Sequence, residues 1–261
     1  MQGWTHLIKT VFFDIDGTLV NWQGNLLQST KRAVLQLREN GVTPVIASAR
    51  PAFNIYGLMQ ELGIASYVAL NGSLVVYENE TIYRSVIQSS TVDAIRKLVL
   101  QQSDSLVTCT SDGFEIASRD RTDILENYMR KWDMSKECAG GCEGDVLQLE
   151  VMCSSEGIRL YTEGNRLDFY PWGSREDAFN AVNRGISKAS GIEKLLAVLH
   201  QDRSEAAAFG DGINDIEMMS AVGIGVAMGN AVDELKHRAS FVTLDVNEGG
   251  IAHALEKLGL I

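Results

Sequence analysis

The amino-acid sequence predicts an α/β protein in which a doubly wound parallel sheet is interrupted by an inserted α+β domain. Three observations lead to this prediction. Short apolar runs recur towards both ends of the chain, helical patterns separate them, and a different pattern occupies the middle third. Uninterrupted apolar runs are typical of strands buried on both faces of a parallel sheet, and their alternation with helices is typical of the doubly wound arrangement.

Six apolar runs are interpreted as strands of this sheet, and each ends in small or polar residues. They are TVFFD (10–14), VTPVIAS (42–48), YVALNGS (67–73), AAAFGDG (206–212), GIGVAMGN (223–230) and ASFVTL (239–244).

Two helical patterns separate the first three runs. The segment 29–41 has its apolar residues on one face, Ser29 or Thr30 as the expected N-cap, and Gly41 as the expected end. The segment 51–63 repeats this plan, with a proline near its start and a glycine after its end. Both segments are therefore expected to pack as helices against the sheet.

The pattern changes near residue 82. Strands with more alternation follow, together with a helix over residues 91–102 and a hairpin around Asp112 and Gly113. The α/β pattern resumes at GISKASGIEKLLAVL, residues 185–199. We therefore expect a core domain made of residues 1–83 and 184–261, and an inserted α+β domain made of residues 84–183.

Composition and charge exclude several classes of function. With 45% hydrophobic and 22% charged residues, the chain is typical of a soluble globular protein. The formal net charge of −11 argues against nucleic acid or an anionic membrane as a partner, although a small anionic substrate stays compatible where positive charge is concentrated. No apolar run approaches the roughly 20 residues of a membrane span, and the first ten residues lack the features of a secretion signal. A cytoplasmic protein is expected, and the sequence leaves open a monomer or a dimer.

All four cysteines lie in the middle third of the chain: Cys109, Cys138, Cys142 and Cys153. The segment CAGGC (138–142) is half of a metal-site pattern without a second pair. Free thiols are therefore expected rather than a bound metal.

Polar side chains follow four of the apolar runs, at the carboxyl ends of the strands. Ligands of a parallel sheet bind at these ends. Any one of them has a simple alternative explanation as the start of a surface loop, but their joint occurrence indicates a site. The residues are Asp14 and Asp16 after the first run, Ser48 and Arg50 after the second with Ala49 between them, Asn71 after the third, and Asp211, Asn214 and Asp215 after the fourth. Lys188 opens a helix whose N-terminus is expected to face the same edge.

These residue types point to phosphoryl transfer. Clustered carboxylates suit a hard cation such as Mg²⁺, which prefers oxygen ligands. Lys188, Arg50 and Ser48 supply the charge and hydrogen-bond donors that a phosphate needs. Both sets together indicate a metal that bridges protein and substrate.

Four segments resemble, in order, the four motifs of the haloacid dehalogenase (HAD) superfamily: DIDGT (14–18), SAR (48–50), GISK (185–188) and GDGIND (210–215). The segment VGIGVAMGNA (222–231) and the residues after it resemble the Cof-type sugar-phosphatase branch. The resemblance implies a Rossmann-like HAD core with a large α/β cap of type IIB inserted between the second and third motifs. It also implies a Mg²⁺-dependent phosphatase whose partner is a small phosphorylated metabolite, with a sugar phosphate as the expected substrate.

The resemblance assigns the carboxylates their roles. Asp14 is implied to be the nucleophile that forms an aspartyl phosphate, and also a metal ligand. Asp16 is implied to be the general acid and then the base, and its backbone carbonyl is a further metal ligand. Asp211 and Asp215 complete the metal ligands. A carboxylate attacks a phosphate dianion only where the cation and Lys188 offset repulsion, so the two roles agree with the chemistry.

The resemblance also assigns the phosphate and substrate contacts. Ser48 and Lys188 are implied to hold the phosphate, Asn214 to contact it, and Arg50 and Asn71 to lie near the entrance or the substrate.

Two further residues bear on the pocket. The Cof-type branch usually has glycine where this chain has Ala49, so Ala49 is expected to reshape the phosphate pocket slightly. Trp22 follows the first motif and is expected to shield the core from water rather than to line the substrate mouth.

Two alternatives to hydrolysis are compatible with parts of the pattern. A phosphomutase or phosphotransferase would use the same aspartyl phosphate. A phosphoacceptor signalling domain would also gather acids, Mg²⁺ and a lysine at strand ends, but it needs neither the second acid, Asp16, nor the inserted domain.

Overall fold

The computed structural model describes residues 8–130, 132–138, 140–164, 166–173 and 175–261. The strands are β1 Thr10–Phe13, β2 Thr43–Ala47, β3 Tyr67–Ala69, β4 Leu74–Tyr77, β5 Glu80–Arg84, β6 Ser105–Cys109, β7 Phe114–Arg119, β8 Gln148–Met152, β9 Leu167–Pro171, β10 Ala178–Asn183, β11 Ala206–Gly210, β12 Ile224–Ala227 and β13 Phe241–Val242. The α-helices are α1 Gln28–Glu39, α2 Tyr56–Leu62, α3 Ser89–Gln102, α4 Thr122–Met129, α5 Ile158–Thr162, α6 Lys188–Val198, α7 Ile216–Ser220, α8 Asp233–Arg238 and α9 Gly250–Lys257.

The chain divides into two compact units. As far as their residues are described, the first unit takes in Met1–Ser48, Gly57–Tyr83 and Ser187–Ile261, and the second unit takes in Ala49–Tyr56 and Arg84–Ile186. The assignment of one as a catalytic core and the other as a cap that selects the substrate stays a prediction.

The first unit is built on a mostly parallel sheet, which confirms the predicted fold class. Its strand order is β13-β12-β11-β1-β2-β3-β4-β5. The pairs from β13 to β3 are parallel, whereas β3 and β4 are antiparallel. β1 and β11 lie at the centre of the sheet and are buried along their whole length, as expected for strands covered on both faces.

The antiparallel edge of this sheet was not predicted from the sequence. β4 and β5 are neighbours joined by the two-residue turn Glu78–Asn79. Both turn residues have positive φ, 47° and 67°. That geometry matches the twist of a tight hairpin, but glycine or asparagine normally provides it, and only one of the two positions here has such a residue.

Helix α1 packs its predicted apolar face inward, but its predicted N-cap is wrong. The helix begins at Gln28 after Leu27, which has an extended backbone and makes no side-chain cap. Ser29 and Thr30 therefore lie inside the helix, and Thr30 is buried there. The end of the helix is as expected, since Gly41 has a φ of 81° just after it.

The second unit contains an antiparallel sheet in the order β7-β6-β8-β10-β9. α3 and α5 pack against one face, where β6, β8 and β10 contribute a buried apolar cluster. β6 and β7 form the hairpin predicted around Asp112 and Gly113.

The prediction of four free thiols is wrong for two of the cysteines. Cys109 and Cys153 are free and buried, but Cys138 and Cys142 form a disulfide. The backbone explains the pairing, because a turn returns the chain so that the Gly141 N–H donates to the Cys138 carbonyl.

Within the described residues, none of the helices combines the length and apolar character that crossing a membrane requires.

Candidate active site

The candidate site lies at the carboxyl edge of the parallel strands in the first unit. Register places the ends of β1, β2 and β11 side by side, because Phe13 is opposite both Ile46 and Phe209. The Asp14 N–H continues this ladder by donating to the Phe209 carbonyl at 2.9 Å. The sheet therefore brings the residues that follow three separate apolar runs to one place.

Three carboxylates converge at this edge. Asp14, Asp211 and Asp215 each offer an oxygen, and these oxygens lie within 4.8 Å of one another. All three residues are buried, and Asp215 is fully so. The carboxylate of Asp16 is not a member of the cluster, and Asp16 is partly exposed.

Lys188 supplies a buried positive charge to the cluster. Its Nζ lies 2.5 Å from Oδ1 of Asp14 and 2.7 Å from Oδ1 of Asp215, and only 1% of its side chain is exposed. Lys188 is the first residue of α6, as predicted, and Ser187 and Ser190 form a capping box at that end. The helix start thus fixes the lysine between two acids that are 201 residues apart along the chain.

The loop that carries Asn71 packs against the same helix start. Gly72 has a φ of 96°, and a Cβ on it would overlap the Ser187 carbonyl, so the contact requires glycine. The Asn71 N–H donates to the Ser48 carbonyl at 3.1 Å, and Asn71 itself has a φ of 52°. Ser48 and Asn71 are therefore held next to each other, and both are buried.

Asp215 shapes the loop that contains Asp211. Its Oδ2 accepts hydrogen bonds from the backbone N–H groups of Asp211 and Gly212, both at 3.0 Å. Gly210 lies so close that an added Cβ would be 2.7 Å from the Asp215 carboxyl group. Asn214 lies in the same turn, since a Cβ on Gly212 would be 2.7 Å from its Oδ1.

Two supporting residues were missed in the sequence. Thr18 Oγ1 donates to Oδ1 of Asp211 at 3.0 Å. Asn230 Nδ2 donates to the Gly17 carbonyl at 2.7 Å, and its Oδ1 accepts from the Val246 N–H. Both lie within motifs already quoted, DIDGT and VGIGVAMGNA, so their positions alone were the available indication.

Burial and neighbouring charges shift the pKa values of Asp14, Asp211 and Lys188. Burial is the main cause that raises the pKa of Asp14 to about 7, against the attraction of Lys188. Burial and the neighbouring Asp14 raise the pKa of Asp211 to about 8. Burial lowers the pKa of Lys188, but the attraction of Asp14 and Asp215 outweighs it and the pKa ends above its ordinary value. Lys188 therefore stays charged at neutral pH.

The donor set fits a hard divalent cation. Lys188 contacts two of the three buried carboxylates, Asp14 and Asp215, so full ionisation of all three leaves uncompensated negative charge in a buried place. Carboxylate oxygens are the ligands that Mg²⁺ and Ca²⁺ prefer, and a cation there would favour the charged forms.

The predicted roles of Ala49 and Arg50 stay predictions. Both residues belong to the second unit, whereas the acid cluster, Ser48, Asn71 and Asn214 belong to the first. The Ala49 carbonyl accepts from Gln148 Nε2 at 3.1 Å. Ala49 is not among the residues with positive φ, so its own backbone does not require a glycine.

Comparison with known proteins gives a family match over most of the chain. The model of the haloacid dehalogenase-like hydrolase family matches residues 11–140 and 154–255. YkrA of Bacillus subtilis strain 168, provisionally named a phosphatase, is 38% identical over 258 residues, which cover 97% of this chain and 98% of that protein.

Solved structures agree with this match. A hypothetical protein of Geobacillus kaustophilus HTA426 superposes with a TM-score of 0.87 at 34% identity, over 97% of this chain and all of that one. BT4131, described as a HAD subclass IIB sugar phosphatase, superposes with a TM-score of 0.85 at 25% identity, over 97% of this chain and all of that one.

Proposed function

The chain belongs to the haloacid dehalogenase-like hydrolases, and on that premise we propose that it is a Mg²⁺-dependent phosphatase acting through an aspartyl phosphate on Asp14. The proposed substrate is a small phosphorylated metabolite, with a sugar phosphate as its class. The observation that carries the proposal is the buried lysine that contacts Asp14 beside two further carboxylates.

In the first half-reaction, a carboxylate oxygen of Asp14 attacks phosphorus. Lys188 contacts Oδ1, so we assign the attack to Oδ2. The bond between phosphorus and the leaving oxygen breaks, and its electron pair stays on that oxygen. Asp16 gives the leaving oxygen a proton, which makes the departing group a neutral alcohol.

In the second half-reaction, water is the nucleophile. Asp16, now ionised, takes a proton from the water as its oxygen bonds to phosphorus. The bond between phosphorus and Oδ2 of Asp14 breaks, which releases inorganic phosphate and restores the carboxylate. Asp16 suits this exchange because it lies outside the acid cluster and is partly exposed.

The proposed metal ligands are Asp14, Asp211 and Asp215, with the backbone carbonyl of Asp16. Bound Mg²⁺ would offset the charge repulsion between the carboxylates and the phosphate. Lys188 adds a positive charge that stays in place without reorganising, because two carboxylates hold it.

Phosphate binding is proposed to involve Ser48, Asn214, Ala49 and Arg50, with Asn71 near the substrate. We propose that the second unit selects the organic part of the substrate. The likeness to BT4131, a sugar phosphatase, supports a sugar phosphate as the substrate class.

Replacing Asp14 by asparagine tests the proposal. Asp14→Asn is expected to lower kcat by orders of magnitude, because loss of an activated nucleophile has that effect. The measurement is phosphate release with Mg²⁺ present. Asp93→Asn on α3 makes the same chemical change at an exposed position and is the matched control, with activity expected to be unchanged. A folded Asp14→Asn protein that keeps more than about a tenth of the activity would remove Asp14 as the nucleophile.

A further inference from the structure

Trp22 is exposed in an unusual place. Its relative exposure is 58%, although tryptophan is on average a largely buried residue. The expectation that it shields the core is therefore wrong. An aromatic side chain left in solvent beside a polar site calls for an explanation.

The loop that presents Trp22 is well fixed. Asn21 is buried, and its Oδ1 accepts from the backbone N–H groups of Gln23 at 3.1 Å and Asn25 at 2.9 Å. Its Nδ2 donates to Oδ1 of Asn247 at 3.0 Å, which ties the loop to a second segment of the first unit. The backbone that carries Trp22 therefore loses little further freedom when the indole binds a ligand.

The indole lies next to the acid cluster. A Cβ on Gly17 would be 2.9 Å from Cζ2 of Trp22 and would also overlap the carboxylate of Asp211. Trp22 and Asp211 therefore flank the same Gly17 backbone. A ligand held by its phosphate near Asp14 and Asp211 has Trp22 within reach of its organic part.

Two more exposed apolar residues lie near Asp211 along the chain or through a backbone contact. Ile213, two residues after Asp211, is 47% exposed, and Val232 is 39% exposed. The Val232 N–H donates to the Asp211 carbonyl at 2.9 Å, which places it directly beside that residue. Exposed apolar residues therefore occur close to Asp211 in the first unit, in addition to the charged groups of the site.

We propose that Trp22 is a specificity-determining residue whose indole stacks on a ring in the organic part of the substrate. This inference rests on the proposed phosphatase function and narrows its substrate class to phosphate esters that contain a ring, such as a pyranose or a heterocycle. A pyranose offers the indole a face of C–H groups and an aromatic heterocycle offers a flat face, whereas an open polyol chain offers no continuous face. The phosphate contacts themselves are common to both kinds of ester.

The test compares two esters that share a carbon number and a phosphate group. Glucose 6-phosphate contains a ring, and sorbitol 6-phosphate is its open-chain counterpart. The value of kcat/KM is measured for both with wild-type protein, Trp22→Ala and Trp22→Phe. Leu100→Ala on α3, at a position that is 60% exposed, is the control for removing an exposed apolar side chain.

Trp22→Ala is expected to lower kcat/KM for the ring ester by roughly two- to tenfold and to leave the open-chain ester within twofold. Trp22→Phe is expected to restore most of the loss, and Leu100→Ala to change neither. The inhibition constant of inorganic phosphate should be the same in all four proteins, because the phosphate site is untouched.

The outcomes separate this inference from the proposed function. If the wild-type protein hydrolyses the esters and Trp22→Ala leaves the ratio of their kcat/KM values unchanged, the stacking role is overturned and the proposed phosphatase function is unaffected. Equal losses for both esters also overturn it, since they would indicate a general disturbance of the site. Release from neither ester by folded, Mg²⁺-loaded wild-type protein would overturn a pyranose as the ring that Trp22 contacts, whereas the proposed function itself is overturned only if no phosphate ester of a wider panel is hydrolysed.

Discussion

Replacing Lys188 by methionine removes the one buried positive charge described within the acid cluster. The substitution keeps a long apolar stem but deletes the ammonium group that contacts Asp14 and Asp215 at 2.5 and 2.7 Å. Removing one partner of a buried ion pair costs about 3–5 kcal/mol, because the other charge is left uncompensated. We therefore expect Lys188→Met to lower the free energy of unfolding by that amount at pH 8 in metal-free buffer.

The loss is also expected to depend on pH with a definite sign. Lys188 lowers the pKa of Asp14, so at pH 8, where wild-type Asp14 is mostly ionised, the folded variant is expected to keep this carboxyl group protonated. For each extra proton bound by the folded variant, the variant then recovers about 1.4 kcal/mol of unfolding free energy, relative to wild type, when the pH falls by one unit. Between pH 8 and pH 6 the wild-type Asp14 carboxyl takes up its own proton, because its pKa is about 7, so the difference from wild type should shrink by about 1.4 kcal/mol over this range.

The assay is urea unfolding of both proteins in EDTA at pH 8, 7 and 6. Lys31→Met is the matched control, because Lys31 forms an ion pair with Glu61 at 3.0 Å in which both side chains are substantially exposed. That pair should be worth less than about 1 kcal/mol at every pH. A Lys188→Met protein within about 1 kcal/mol of wild type at pH 8, or a loss that does not vary with pH, would refute the reasoning.

Two further predictions concern the same cluster. In EDTA, the melting temperature of the wild-type protein should rise as the pH falls from 8 to 6. The pKa of Asp14 is raised to about 7 and that of Asp211 to about 8, so the folded state binds more protons than the unfolded state in this pH range. Thermal unfolding with and without Mg²⁺ should show that this pH dependence disappears when the metal is bound. A melting temperature that falls in EDTA over this range would contradict it. Gly17→Ala should abolish most phosphate release, since its Cβ would overlap Asp211, whereas Gly24→Ala, with the same positive φ but open space, should cost about 1 kcal/mol of stability and leave activity unchanged. Equal activity in the two variants would show that the close approach at Gly17 does not matter.

The sequence was sufficient to place the parts of the site that depend on strand ends. Apolar runs located β1, β2, β3 and β11, and the parallel arrangement sends all their carboxyl ends to one edge. Asp14, Ser48, Asn71 and Asp211 follow from that rule, and Lys188 follows from the start of a helix with serine before it. Local pattern and global fold agree in these elements, which confirms the positions of these residues at strand ends and at the helix start.

The contacts between side chains inside the site could not be predicted from the sequence. Nothing in GDGIND distinguishes Asp215, which bonds two backbone N–H groups and Lys188, from Asp211, whose partner is Thr18. The contacts with Thr18 and Lys188 depend on how segments far apart in the sequence meet in the folded chain. The roles of these residues as ligands stay predictions.

Two features of the fold were also missed for physical reasons. The β4–β5 hairpin turns on Glu78, a residue that rarely adopts positive φ, so its turn lacked a local indication. The four-residue spacing of Cys138 and Cys142 is compatible with thiols, a disulfide or half of a metal site, and only the path of the intervening chain decides among them.

Phosphate release is the measurement that tests the central claim most directly. Wild-type protein is incubated with sugar phosphates, nucleotides, pyridoxal phosphate and flavin mononucleotide, first with Mg²⁺ and then with EDTA. The proposed function predicts release from a few of these esters that stops in EDTA and returns when Mg²⁺ is restored. No release from any of them, by folded protein with Mg²⁺ bound, would contradict it and favour a transferase or a phosphoacceptor role.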